Sequence, residues 1–153
     1  QRFEFKATYP PLTTAEFAPV YAFIMAQNGM AETFQIVLPE ISSKSGNATG
    51  TVQTVGADSI GETSIVIDGL SGTLKAGDVI KFANHNKVYM VVSDLTGSGT
   101  LTIEPALREA TANDTAITYD NVPFTVRLNN DLQQYSVGLA SLVKYEVDFI
   151  EAI

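Results

Sequence analysis

The sequence predicts a mainly β protein of the α+β class: a β body with one amphipathic helix, interrupted by a small inserted all-β domain. Three observations lead there. Both ends of the chain alternate apolar and polar residues with a period of two. One stretch near the N-terminus carries a helical stripe. The middle of the chain is a run of short β-like segments, with turn residues about every ten positions.

The first strand is Arg2–Tyr9, where Phe3, Phe5, Ala7 and Tyr9 face one way and Arg2, Glu4, Lys6 and Thr8 the other. Pro10-Pro11 ends it. Apolar residues then fall at Phe17, Val20, Tyr21, Ile24 and Met25, the stripe of a core-facing helix. Thr13 and Glu16 have the spacing of a capping box, and Gly29 is placed as a left-handed stop. Pro19 argues for a helix that begins near Phe17, because a proline beyond the first turn costs about 3 kcal/mol. Glu32–Pro39 alternates again and reads as a strand.

Glu40–Gly50 is small and polar, and is the expected boundary. Beyond it, strands are expected at Thr51–Val55, Thr63–Leu70, Asp78–Asn84, Lys87–Asp94 and Gly99–Pro105, with a short one at Ala116–Tyr119. Such a series makes a small barrel or sandwich. Val122–Asn129 and Leu142–Ile150 return to longer alternating strands, with Tyr135–Leu139 ambiguous between them. The domain organisation expected is therefore a body of residues 1–45 and 122–153 carrying an insertion of residues 47–121. The two terminal strands, both with aromatic inner faces, are positioned to pair.

Composition narrows the function. At 45% hydrophobic and 17% charged residues, the chain of 153 residues can bury a core. Its net charge of −8, with nine basic residues scattered among seventeen acidic ones, argues against nucleic-acid binding. No apolar run approaches the roughly 20 residues of a membrane span, so no membrane insertion is expected. The chain opens on Gln1, with no signal-peptide pattern, which leaves room for an upstream piece. Without cysteine there is no disulfide, thiolate zinc site or cysteine nucleophile.

Candidate chemistry is sparse. His85, the one imidazole, lies in Asn84-His85-Asn86, a hairpin tip where the expected reading is a solvated turn residue, not a catalytic base. The corners Asp120-Asn121 and Asn129-Asn130-Asp131 carry oxygen ligands of the kind calcium prefers, but read as turn chemistry. Glu146, Asp148 and Glu151 form a carboxylate row that reads as a solvated edge or interface instead of a glycosidase pair. Gly97-Ser98-Gly99 lacks the lysine and helix of a phosphate loop. Asn47 and Asn113 open glycosylation triplets, which arise often by chance. The chain is expected to be no enzyme, with no catalytic, cofactor-binding or metal-binding residue and no cofactor.

Several segments together resemble a known family. QRFEFKATYPPLTTAEFAPVYAFIMAQNGMAETFQIVLP is similar to the opening of tail and baseplate proteins of long-tailed bacteriophages. The ordered set LKAGDVIKFANHNKVYMVV, TIEPALREA, VPFTVRLNND and YEVDFIEAI resembles the later part of phage tail structural proteins, in particular distal-tail, baseplate-ring and tail-tube-like subunits. The resemblance implies a tail-tube-like β-sandwich body with an inserted small all-β barrel. It implies a non-catalytic subunit located in the virion and assembled in the bacterial host cytoplasm. Its partners would be copies of itself, in a ring around the DNA channel, and other tail or baseplate proteins. Two alternatives stay open: another virion structural role, such as head decoration or connector, and a small β-barrel module that binds carbohydrate or peptide.

Overall fold

The computed structural model describes residues 1–138 and 141–153. In chain order its elements are β1 (Glu4–Thr8), α1 (Thr14–Ala26), β2 (Phe34–Ile36), α2 (Pro39–Ser42), β3 (Gln53–Thr54), β4 (Ser64–Asp68), β5 (Thr73–Leu74), β6 (Val79–Phe82), β7 (Val88–Val91), β8 (Leu95–Thr96), β9 (Gly99–Glu104), β10 (Ile117–Thr118), β11 (Phe124–Leu128), β12 (Tyr135–Val137) and β13 (Val143–Glu151). The protein is thus mainly β, with one long helix. The chain divides into two compact units, Gln1–Gln35 with Thr125–Ala152, and Ile36–Phe124 with Ile153.

The first unit is a helix packed on a sheet. The sheet runs β1-β13-β11-β2, with β12 also paired to β13. β1 and β13 are antiparallel, Glu4 opposite Ile150 through Thr8 opposite Glu146, so the two terminal strands do pair. Along β13 the alternation is strict: Val143, Tyr145, Val147 and Phe149 are buried, while Lys144, Glu146 and Asp148 are exposed. The buried face meets the helix through rings. Phe17 lies 5.5 Å from Tyr145 and 5.0 Å from Tyr135, and Phe34 lies 5.2 Å from Phe23 and 5.6 Å from Phe149. Such pairs add about 0.5–1.5 kcal/mol beyond their area burial.

The helix differs from expectation at both ends of its stripe. It starts at Thr14, with the capping box intact: the Glu16 amide donates to Thr13 Oγ1, and the Thr13 amide donates to Glu16 Oε2 at 2.8 Å. Pro19 sits inside it. The one carbonyl its missing N–H deprives is that of Ala15, an exposed residue. Met25, at the far end of the stripe, is exposed, and only Phe17 and Ile24 are fully buried. Asn28 and Gly29 both take positive φ just past the helix. β2 is shorter than its alternation suggested, because Pro39 starts a single helical turn instead. Of the ambiguous stretch Tyr135–Leu139, Tyr135–Val137 is a strand and Leu139 lies outside the described residues.

The second unit is a small barrel. Its sheet runs β10-β6-β7-β9-β4-β3. The two end strands then meet: Gln53 bridges Ala116, the Ile117 amide donates to Val52 O at 2.9 Å, and the Thr54 amide donates to Thr115 O at 3.0 Å. Closure removes the sheet edges that would otherwise offer unpaired backbone. Inside lie Ile65, Ile67, Leu74, Ile80, Phe82, Tyr89, Val91, Leu101 and Ile103, all essentially inaccessible. β5 and β8 form a separate two-stranded ribbon that the sequence did not announce, since two-residue strands carry no visible period.

The Glu40–Gly50 segment, expected as a connector, is pinned into this unit. The Val122 amide donates to Ser42 O, and Lys44 pairs with Asp120 at 3.0 Å. Asp78, only 2% exposed, accepts from Ser45 N and Ser45 Oγ, both at 2.7 Å, and from Lys75 N at 2.9 Å.

Candidate functional site

His85 is not the solvated tip residue the turn pattern suggested. It is 8% exposed, stacked on Phe82 at 5.6 Å and edge-on to Tyr89 at 5.5 Å. Both ring nitrogens are engaged. Asn84 spends its Nδ2 on Ala110 O at 2.9 Å, so its Oδ1 faces His85 Nδ1, which must carry the proton, at 2.9 Å. The Arg108 amide donates to Tyr89 Oη at 3.1 Å, and the Tyr89 hydroxyl in turn donates to His85 Nε2 at 2.8 Å. The result is a directed relay from the Arg108 amide through Tyr89 and His85 to Asn84 and Ala110. Burial holds the imidazole below its usual pKa; Glu109 opposes that shift, while Lys81 and Lys87 add to it. The imidazole is thus held through both ring nitrogens. The spacing Phe82, His85, Tyr89 was the available clue: two aromatic neighbours can wall in a tip residue.

The other candidates resolve into turn and edge chemistry. Asp120 is held below the usual carboxylate range, first by its hydrogen bond from Lys44, and Asn121 takes a positive φ beside it. Asn129 Nδ2 donates to Glu4 Oε1, Asn130 Oδ1 accepts from Leu132 N, and Asp131 Oδ1 accepts from Met30 N at 2.9 Å. Asn129 through its amide nitrogen, and Asn130 and Asp131 through one oxygen each, tie loops. Asn47 and Asn113 do the same, accepting from Thr73 N and Gly56 N. Gly97-Ser98-Gly99 joins β8 to β9, with the Gly97 amide on Gly72 O. Among the described residues, no group of three or more histidines and carboxylates is placed to hold a metal.

The carboxylate row does not stay together. Glu146 pairs with Lys6 at 2.8 Å, and Asp148 lies on the same exposed face. The Lys6 ammonium is raised above its usual pKa, chiefly by its hydrogen bond to Glu146 and that charge, with Asp148 adding to it. Glu151 instead is fully buried, and its Oε2 accepts from Phe3 N at 3.2 Å. Parity explains this: Glu151 is an even number of residues from Val143, Tyr145, Val147 and Phe149, so it shares their face.

What remains open on the first unit is its sheet margin. β12 is exposed at all three residues. Leu132, Tyr135 and Val137 there are 72%, 50% and 64% exposed. Next to them a shallow polar concavity is lined by Lys6, Lys144, Glu146 and Asp148.

A nearly closed barrel and a helix-backed sheet, with polar side chains fixing the loops, define a mainly β module. Residues 41–122, more than half of the chain, match the family model of the distal tail protein pb9, B domain. The chain belongs to that family and is a structural protein of a bacteriophage tail, a component of the virion. No curated protein matches it in sequence.

Proposed function

We propose that the chain is a non-catalytic subunit of the distal tail or baseplate that assembles head to tail with copies of itself into a ring around the DNA channel. The observation that carries this reading is the uncovered margin of the first unit's sheet. Among the described residues, β1 and β12 each pair only with β13, and β12 presents exposed Tyr135 and Val137 beside Leu132. Open strand edges with apolar side chains are a liability in a lone protein and an asset in a ring, where a heterologous contact covers them. The net charge of −8 suits a channel through which DNA slides without adhering. In this reading residues 1–45 and 122–153 form the ring-building body, and residues 47–121 form an inserted barrel that braces or decorates it. The body contacts other tail proteins, binds no specific nucleic-acid sequence and enters no membrane. Assembly takes place in the host cytoplasm.

The test is light scattering and negative-stain imaging of the purified chain, together with Val137→Lys. Rings or a large species in the wild type, lost in the variant, support the reading. A single-copy species at every concentration, with the β12 margin facing solvent in the native particle, overturns it.

A further inference from the structure

The hairpin tip between β6 and β7 and the strap that follows β9 meet through the His85 relay. The strap, residues 107–111, is tied on its other side by different bonds. The Leu107 amide donates to Glu62 O, the Gly61 amide to Leu107 O, and Asp58 and Thr111 exchange both backbone bonds. Thr111 Oγ1 also donates to Asp58 Oδ2 at 2.8 Å. Leu107 is part of the barrel core. On its near side the strap is bonded by Arg108 N–H to Tyr89 and by Asn84 to Ala110 O, two ties organised around His85. A concavity of about 300 Å³ lies over this seam, lined by Asn84, His85, Asn86, Lys87, Arg108, Glu109 and Ile153.

We propose that the His85 relay is an acid-released latch: with His85 neutral it holds the tip to the strap, and protonation of His85 parts them and widens the concavity. The argument is one of hydrogen-bond direction. Nε2 works as an acceptor from Tyr89, whose oxygen already takes the Arg108 amide. Adding a proton makes Nε2 a second donor toward that oxygen, which can accept both bonds, but the buried Tyr89 hydroxyl proton then loses its acceptor and the closed relay is weakened. The new charge would also sit among Lys81 on β6, Lys87 at the start of β7 and Arg108 on the strap, with Glu109 as the facing acid. Release is local, because the bonds to Asp58, Gly61 and Glu62 do not involve His85.

Since His85 is the chain's one histidine, its ring C2 proton reports its titration without ambiguity. The experiment is NMR of the full ¹⁵N-labelled chain between pH 8 and 5, following that proton and the amide exchange of Arg108, Leu107 and Thr111. Protection factors are corrected for the intrinsic pH dependence of exchange. If opening exposes a histidine that protonates normally, Arg108 protection falls about tenfold per pH unit below about 6.5, until the latched histidine itself protonates. Leu107 and Thr111 keep their protection. In His85→Gln, which cannot titrate, Arg108 protection is flat with pH. Constant Arg108 protection in the wild type overturns the proposal. So does a parallel loss at Leu107 and Thr111, or an equal pH dependence in His85→Gln. Should that variant not fold, the wild-type comparison of Arg108 with Leu107 and Thr111 still decides.

Discussion

Replacing Asp78 with alanine removes the carboxylate that fastens the 45–47 segment to the turn before β6. Three bonds go at once: from Ser45 N, from Ser45 Oγ and from Lys75 N. Bonds to charged groups contribute about 1.5–3 kcal/mol each, and orphaned donors cost about 1–3 kcal/mol. Ser45 and Lys75 are exposed, so water re-solvates part of what is lost, and the low end applies. At about 1 kcal/mol for each of the three donors left unpaired, that gives about 3 kcal/mol in all. Asp94→Ala is the matched control, since Asp94 is exposed and takes a single bond, from Ala76 N at 2.9 Å. It should cost about 1 kcal/mol or less. With a urea slope near 2 kcal/mol/M, the midpoint should fall by about 1.5 M in Asp78→Ala and by under about 0.5 M in Asp94→Ala. Asp78→Asn keeps one acceptor oxygen and should fall between them. Equilibrium urea unfolding followed by circular dichroism reads all three. Equal midpoints for Asp78→Ala and Asp94→Ala would refute the reasoning, because solvent would then be replacing the buried carboxylate at no cost.

Thr13→Ala removes the helix cap and should cost about 1 kcal/mol, lowering the melting temperature by about 2–4 °C. Leu101→Ala opens a void in the closed barrel and should cost about 3–5 kcal/mol, whereas Leu101→Met, which keeps the volume, should cost under about 1.5 kcal/mol in chemical unfolding. Tyr145 has its pKa pushed up to about 12, first by burial and then by Tyr21 and Tyr9. Absorbance near 295 nm should therefore show a tyrosine that ionises only near pH 12. Between pH 10 and 12 the folded chain keeps a proton that the unfolded chain has lost, so stability falls as pH rises through that window. Stability unchanged from pH 9 to 11.5 would contradict this.

The strands were legible because period two is a direct readout of side-chain direction. β13 is the clearest case, its alternation from Val143 to Phe149 matching its burial. The capping box at Thr13 was legible for a related reason: it is a contact between residues three apart. β5 and β8 were not, being two residues each and defined by each other's position. Glu151 was legible and misread. Its charge outweighed its parity, and parity decided the geometry.

His85 and Asp78 expose the deeper limit. His85 was read as a turn residue and Asp78 as the first residue of a strand, polar positions at the two ends of β6, and both are buried all the same. A turn residue points to water only if nothing from elsewhere in the fold stands over it. Over His85 stands the strap near Arg108, 23 residues on; over Asp78 lies Ser45, 33 residues back. Neither neighbour leaves a local trace in the sequence. In a closed barrel the strands satisfy one another, so the polar side chains at the strand ends are what remain to fix the long connections. That is why polar residues of this unit such as Asp78, Asn47 and Asn113 gather into fastenings. It is also why acid, acting on the one fastening built around an imidazole, should part a loop while leaving the barrel intact.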